Sequence, residues 1–141
     1  MTSSEWLIPL LLLAAVALLA ESVRQLRRRW VLVKVVGDSM EPALREGSEV
    51  LAKRTKRIAV GDVVVLAAPD PELGWAETIR ARGPWWVKRV AAAPGDPMPG
   101  ASGTVPPGHW FVLGDNPTGA DSRRHGPVPA SAVFGTVIRE F

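Results

Sequence analysis

A chain of 141 residues has room for one small domain, and its 47% hydrophobic content is enough to give that domain a core. With no cysteine and only two histidines, His109 and His125, it excludes a disulfide framework and a thiolate metal site and offers too few imidazoles for a typical catalytic zinc; no metal and no cofactor are expected. The formal charge is +3, but Lys and Arg are mixed with Asp and Glu after residue 34, which argues against a nucleic-acid partner and favours contact between a basic segment and anionic membrane lipid.

The first element is apolar. Trp6 to Ala20 carries no charge and lies between Glu5 and Glu21. A spanning helix needs about 20 apolar residues. Thr2, Ser3, Ser4 and Ser22 lengthen the stretch, Arg24 can extend its head to the interface, and Pro9 sits near the start, where it costs a helix least. A cleaved leader is the rival reading. It would lack a basic N-terminal region, and Leu18 stands where a small residue is wanted before Ala20. The expectation is one membrane anchor with a basic connector, residues 1–30, followed by a domain over 31–141.

Residues 21–30 carry Arg24, Arg27, Arg28 and Arg29 and end at Trp30, a residue type suited to the headgroup level. Beyond them the pattern becomes β-branched. Strands are expected over 31–36, 49–53, 62–67, 85–92, 109–113 and 133–139. Gly and Pro punctuate the gaps, as in Pro94-Gly95-Asp96-Pro97 and Pro106-Pro107-Gly108. Residues 69–83 and 98–104 read as surface excursions. With no helical period after residue 30, the domain is expected to be all-β.

Two residues stand out chemically. A serine hydroxyl is a poor nucleophile unless a base lies within reach and donors await the oxyanion. Lysine can be that base if burial keeps it neutral. In the strand at 85–92, Lys88 shares a face with Trp86 and Val90, while Arg89 and Val87 point the other way. Arg89 prefers water, so Lys88 points inward. The bland alternatives are an edge-strand lysine with its head in solvent and, for Ser39, a turn or helix-capping serine. Asp115, Asn116, Asp121 and Arg123 also read as ordinary turn chemistry, with an Asp121–Arg123 ion pair as a brace for the loop. His109, which follows the Pro107-Gly108 turn, and His125, in the Arg123–Gly126 turn, read as exposed residues, not as a base. Trp85 and Trp86 read as core and cleft wall, and Lys53 to Arg57 as a solvated turn.

Three stretches taken together carry a resemblance: Gly37-Asp38-Ser39-Met40-Glu41-Pro42, Val87-Lys88-Arg89-Val90, and Gly114-Asp115-Asn116-Pro117 running to Asp121-Ser122-Arg123 and Gly126. The chain resembles the type I signal peptidases and their relatives, the serine–lysine peptidases of family S26, over residues 31–140. The resemblance implies a signal-peptidase/SOS-repressor-type β-ribbon domain behind one transmembrane helix. It implies Ser39 as nucleophile, Lys88 as base and the Ser39 backbone N–H as oxyanion donor. It gives Asp115, Asn116, Asp121, Ser122 and Arg123 as support for the site, and Val35, Val36, Met40, Leu44 and Trp86 as an apolar substrate groove. Gly37 stands where some members have a second, side-chain oxyanion donor; here it would let a substrate approach the backbone closely. Gly119 stands where many have a serine that orients the lysine, which leaves Ser122, Thr118 or water for that task.

The implied activity is endoproteolysis beside a membrane, after small residues, of precursor proteins bearing a signal peptide or pro-sequence. Related readings are a dedicated maturation peptidase, for example for a nickel superoxide dismutase precursor, and a self-cleaving repressor. A non-enzymatic β module is a further alternative. Topology is contested. The arginines after the apolar stretch favour a cytoplasmic domain by charge, whereas a secretory role requires the outer face, which is the expectation adopted.

Overall fold

The computed structural model describes residues 5–75 and 83–141. Thr2, Ser3, Ser4 and the middle of the 69–83 excursion lie outside the described residues. The apolar stretch forms α1, Leu7–Arg29, none of whose residues is buried. Its most apolar window has mean hydropathy 2.0. At 1.5 Å per residue it is about 35 Å long, enough for a hydrocarbon core of about 30 Å. The basic connector is therefore not a separate segment. Arg27, Arg28 and Arg29 form the last turn of α1, where cations suit the exposed carbonyls.

The strands are β1 (Trp30–Lys34), β2 (Glu49–Arg54), β3 (Val63–Ala67), β4 (Trp85–Ala92), β5 (His109–Leu113), β6 (Val128–Pro129) and β7 (Val133–Glu140). They form one sheet in the order β1-β2-β7-β3-β4-β5-β6, with antiparallel neighbours throughout. β3 lies at the centre and reads as an unbroken apolar run because both its faces are covered. Val65 enters one cluster with Val33, Met40, Val50, Val87 and Phe134. Val64 and Leu66 enter another with Val90, Val112, Val128 and Val133. Such two-sided burial replaces the alternation of a half-exposed strand.

The two outermost elements of the site region were not legible as elements. β6 is two residues long, and α2 (Ser122–His125) is a single helical turn, too short for any period. Lys53 and Arg54 are exposed, as a solvated segment would be, but they do not form a turn. Both lie in β2, Lys53 over the Trp30 ring and Arg54 over the Phe134 ring, with Arg54 Nε donating to the Arg28 carbonyl at 2.8 Å. These contacts join the end of α1 to the sheet. Gly135 is required where β7 crosses β2, since a Cβ there would collide with the Lys53 carbonyl.

Candidate active site

β4 carries the first functional group. Its alternation places Val87 in one apolar cluster and Trp86 and Val90 against the other. Lys88 lies opposite Val64 of β3 and is only 4% exposed. Its Nζ stands 5.0 Å from the centroid of the Trp86 ring. Burial holds the Lys88 amine below the usual lysine range; the Asp121 carboxylate opposes that shift and the Arg123 guanidinium adds to it. Arg89, on the opposite face, does not simply seek water. Its guanidinium grips Asp115 with two hydrogen bonds, 2.9 and 2.8 Å, and donates a third to the Gly61 carbonyl at 2.9 Å. That fork clamps β4 beside Lys88 to the chain leaving β5.

The second group comes from the turn after β1. Val35 continues the β1–β2 ladder through its N–H to the Ser48 carbonyl, and then Gly37 turns the chain with φ at +82°. Glycine is needed there for that backbone angle. The space beside it is open for 4 Å, so no close approach within the protein demands it. Met40, 1% exposed, anchors the turn in the core. Ser39 is half-buried, and its carbonyl accepts the Asn116 N–H at 2.9 Å. Among the described residues nothing accepts the Ser39 N–H, and neither Ser39 Oγ nor Lys88 Nζ has a hydrogen-bond partner.

Ser39 and Lys88 line one cleft of about 180 Å³. Lys34, Val35, Val36 and Met40 flank the serine, Trp85, Trp86 and Val87 flank the lysine, and Ala120 completes the wall. Of the five expected groove residues, Leu44 is the exception. It is buried in the core cluster under the Ser39 turn and is not part of the lining. Trp85 lines the cleft as the wall expected, whereas Lys34 and Ala120 are lining residues that sequence reasoning missed. Two larger depressions, about 410 and 600 Å³, lie elsewhere, but neither joins a hydroxyl to a buried amine.

The remaining candidates form the frame. Asn116 Oδ1 accepts from the Thr118 N–H and hydroxyl at 3.2 and 2.9 Å, closing the turn above Ser39. Asp121 is fully buried and accepts from the Gly114 N–H, the Arg123 N–H and two nitrogens of the Arg123 guanidinium. Burial alone would push this carboxyl up, but the bonds from Arg123 and Gly114 hold it below its ordinary value. Ser122 Oγ accepts the Val112 N–H at 3.0 Å, which ties α2 to β5. Ser122 and Thr118 therefore serve the backbone and Asn116; neither hydrogen-bonds Lys88. His125 also departs from the exposed-turn reading. It is half-buried, with its ring edge-on to Trp75 and Trp86 at 6.2 and 5.3 Å. Chemically, the cleft joins a free hydroxyl, a buried amine of reduced basicity and an unoccupied backbone donor.

Replacing Asp121 by Ala removes the acceptor of the Gly114 and Arg123 amide hydrogens and uncouples the start of α2 from the chain leaving β5. The expected cost is on the order of 2 kcal/mol, read as a fall in Tm, with loss of activity in parallel. Full thermal stability in this variant would show that Asp121 is not the brace.

A search of the curated proteins finds no match. The family model described as "Signal peptidase, peptidase S26" matches residues 3–101 and 98–141, nearly the whole chain. By that match, the chain belongs to the signal peptidase family S26, the serine peptidases of signal-peptidase type.

Proposed function

We propose that the protein is a membrane-anchored endopeptidase in which Ser39 is the nucleophile and Lys88 the general base, and that it cuts signal peptides or pro-sequences after small residues. The observation that carries this is the cleft holding both groups, with Lys88 buried and its amine depressed in basicity. In the reaction, neutral Lys88 Nζ takes the hydroxyl proton as Ser39 Oγ attacks the scissile carbonyl. The unpaired Ser39 N–H faces the developing oxyanion. The lysine then gives its proton to the leaving amine, leaving an ester on Ser39. Water, deprotonated by the same amine, hydrolyses that ester and regenerates the serine. The absence of an Oγ–Nζ hydrogen bond is compatible with this scheme, since such bonds commonly tighten only when substrate is present.

The shape of the cleft supports an extended peptide as substrate. Lys34 ends the outermost strand and residues 35 and 36 follow it, and among the described residues Trp85–Lys88 pairs with β3 on one edge only, because β5 pairs from Arg89 onward. Among the described residues, both backbone edges are thus open to an added strand. A ligand pocket is usually roughly 300–1,000 Å³. A cleft of about 180 Å³ suits short side chains instead, which supports small residues beside the cut.

Ser39→Ala and Lys88→Ala are each expected to reduce cleavage of a signal-peptide substrate in detergent by several orders of magnitude while the domain stays folded. Loss of either member should cost about as much as loss of both. Substantial turnover by Lys88→Ala without added amine would refute the dyad.

The pH dependence follows from the sign of the lysine shift. Lys88 acts only when neutral, and its amine titrates below the usual value of about 10.4. kcat/KM should therefore rise with pH, on a limb set by the Lys88 amine in the free enzyme, and level off before a solvent-exposed lysine would lose its proton. A limb near pH 6.5 that vanishes on replacing His125 would favour a histidine base.

The reading also places the domain on the outer face of the membrane, against the bias of Arg24, Arg27, Arg28 and Arg29. That arginine cluster is the observation favouring the second reading, a maturation peptidase acting in the cytoplasm. A reporter active only outside the cytoplasm, fused after Phe141, should be active. Silence, with a cytoplasmic reporter active in its place, would favour the maturation peptidase.

A further inference from the structure

Ten glycines adopt positive φ, and most of those have open space where a Cβ would stand. Gly114 and Gly119 are different. Neither has a positive φ, so neither is glycine for the sake of its backbone angle. Both are crowded, and by the same residue. A Cβ on Gly119 would stand 2.8 Å from Ser39 Cβ and 3.4 Å from Ser39 Cα. A Cβ on Gly114 would stand 2.5 Å from the Ser39 carbonyl oxygen and 3.4 Å from its carbon. Between them, the Asn116 N–H holds that same carbonyl at 2.9 Å.

We propose that Gly114 and Gly119 are positioning residues for Ser39, two side-chain-free contacts against which the Asn116 hydrogen bond seats the serine in register with Lys88. The proposal rests on the reading of Ser39 as nucleophile. The crowding atoms are the Cβ and main chain of Ser39, not the tip of a flexible side chain, so they cannot swing aside. For an Ala at 119, Ser39 must retreat by about 0.6 Å to reach ordinary contact at 3.4 Å. Catalytic geometry is steep on that scale, since a misplacement of about 1 Å can cost about 100-fold. The same contact explains why a hydroxyl-bearing side chain at 119 does not fit this chain. A serine there would displace the nucleophile before it reached the lysine.

The test pairs kinetics with a stability cycle on the full chain in detergent. Gly119→Ala and Gly114→Ala should each lower kcat at least about tenfold, with KM within about twofold and the pH limb unmoved, because Lys88 is untouched. The melting temperatures of Gly119→Ala, Ser39→Gly and the double variant supply the second readout. The Gly119 clash is with Ser39 Cβ, so its Tm loss should largely disappear once Ser39 is glycine. The Gly114 clash is with the Ser39 main chain, so its loss should persist in the Ser39→Gly background. A Gly119→Ala variant that folds only when Ser39 is glycine would support the contact just as directly. Unchanged kcat in Gly119→Ala, or an equal Tm loss with and without Ser39 Cβ, would overturn the proposal. An acylating probe on the wild-type chain keeps the two hypotheses apart. Failure to label Ser39 would overturn the nucleophile assignment, whereas a labelled Ser39 with an indifferent Gly119→Ala would overturn only the positioning role.

Discussion

Everything around the cleft depends on keeping one amine out of water. A lysine ammonium loses heavily on burial, and Lys88 is buried by Trp86, its β3 neighbour Val64 and the apolar cluster beneath. The nearby Asp121 carboxylate works against that depression by favouring the charged form. Arg123 restrains it by occupying both carboxylate oxygens, so the pair presents little net charge to the amine. The cost has a sign. The unfolded chain binds the lysine proton more tightly than the folded one, so this group adds stability as pH rises between its folded and unfolded values. Below the folded value the domain carries a buried charge, and the rest of the core bears it.

That burden is met by fastening the strand on its other face. Arg89 carries the only charge on β4 besides Lys88, and its two bonds to Asp115 reach the segment that begins the Ser39 cradle. Asp115 is followed by Asn116, whose N–H holds the Ser39 carbonyl. One short segment thus contacts the lysine-bearing strand and the serine turn at once. It fixes the distance between two groups that the chain brings together only through folding. The Asp121–Gly114 and Ser122–Val112 bonds close the other end of the loop.

How much of this was legible follows from period and length. The six longer strands were readable because β-branched runs bounded by Gly and Pro leave few alternatives. The inward direction of Lys88 was readable because strand alternation ties it to Trp86 and Val90. β6 and α2 were not, since two residues and one turn carry no period. Leu44 looked like groove because it is apolar and close to Ser39 in sequence, but Leu44 N–H bonds the Met40 carbonyl in a turn that sends its side chain to the core. Lys34 and Ala120 were missed because their place in the wall comes from distant segments meeting across the cleft, a long-range fact. Gly119 was visible only as a missing hydroxyl. Its positive reason, the proximity of Ser39 Cβ, is tertiary.

The path from α1 to the serine is short and stiff, and this bears on what the enzyme can reach. β1 begins at Trp30, directly after the last helical residue, and Arg54 ties the Arg28 carbonyl to β2. The chain then runs through residues 34–36, which wall the cleft, to Ser39. Ten residues from Trp30 to Ser39 span at most roughly 35 Å even if fully extended. On the proposed reading, a helix embedded in the bilayer therefore keeps the nucleophile within that distance of its own C-terminal end. A peptide bond buried in the hydrocarbon or far out in solvent is out of reach, and one just beyond the end of another spanning segment is not. The open edges at 34–36 and Trp85–Lys88 require that segment to be extended where it is cut. On that same reading, a small-residue stretch emerging from an apolar helix satisfies both conditions, so proximity and strand addition would favour the same class of substrate without any large binding pocket.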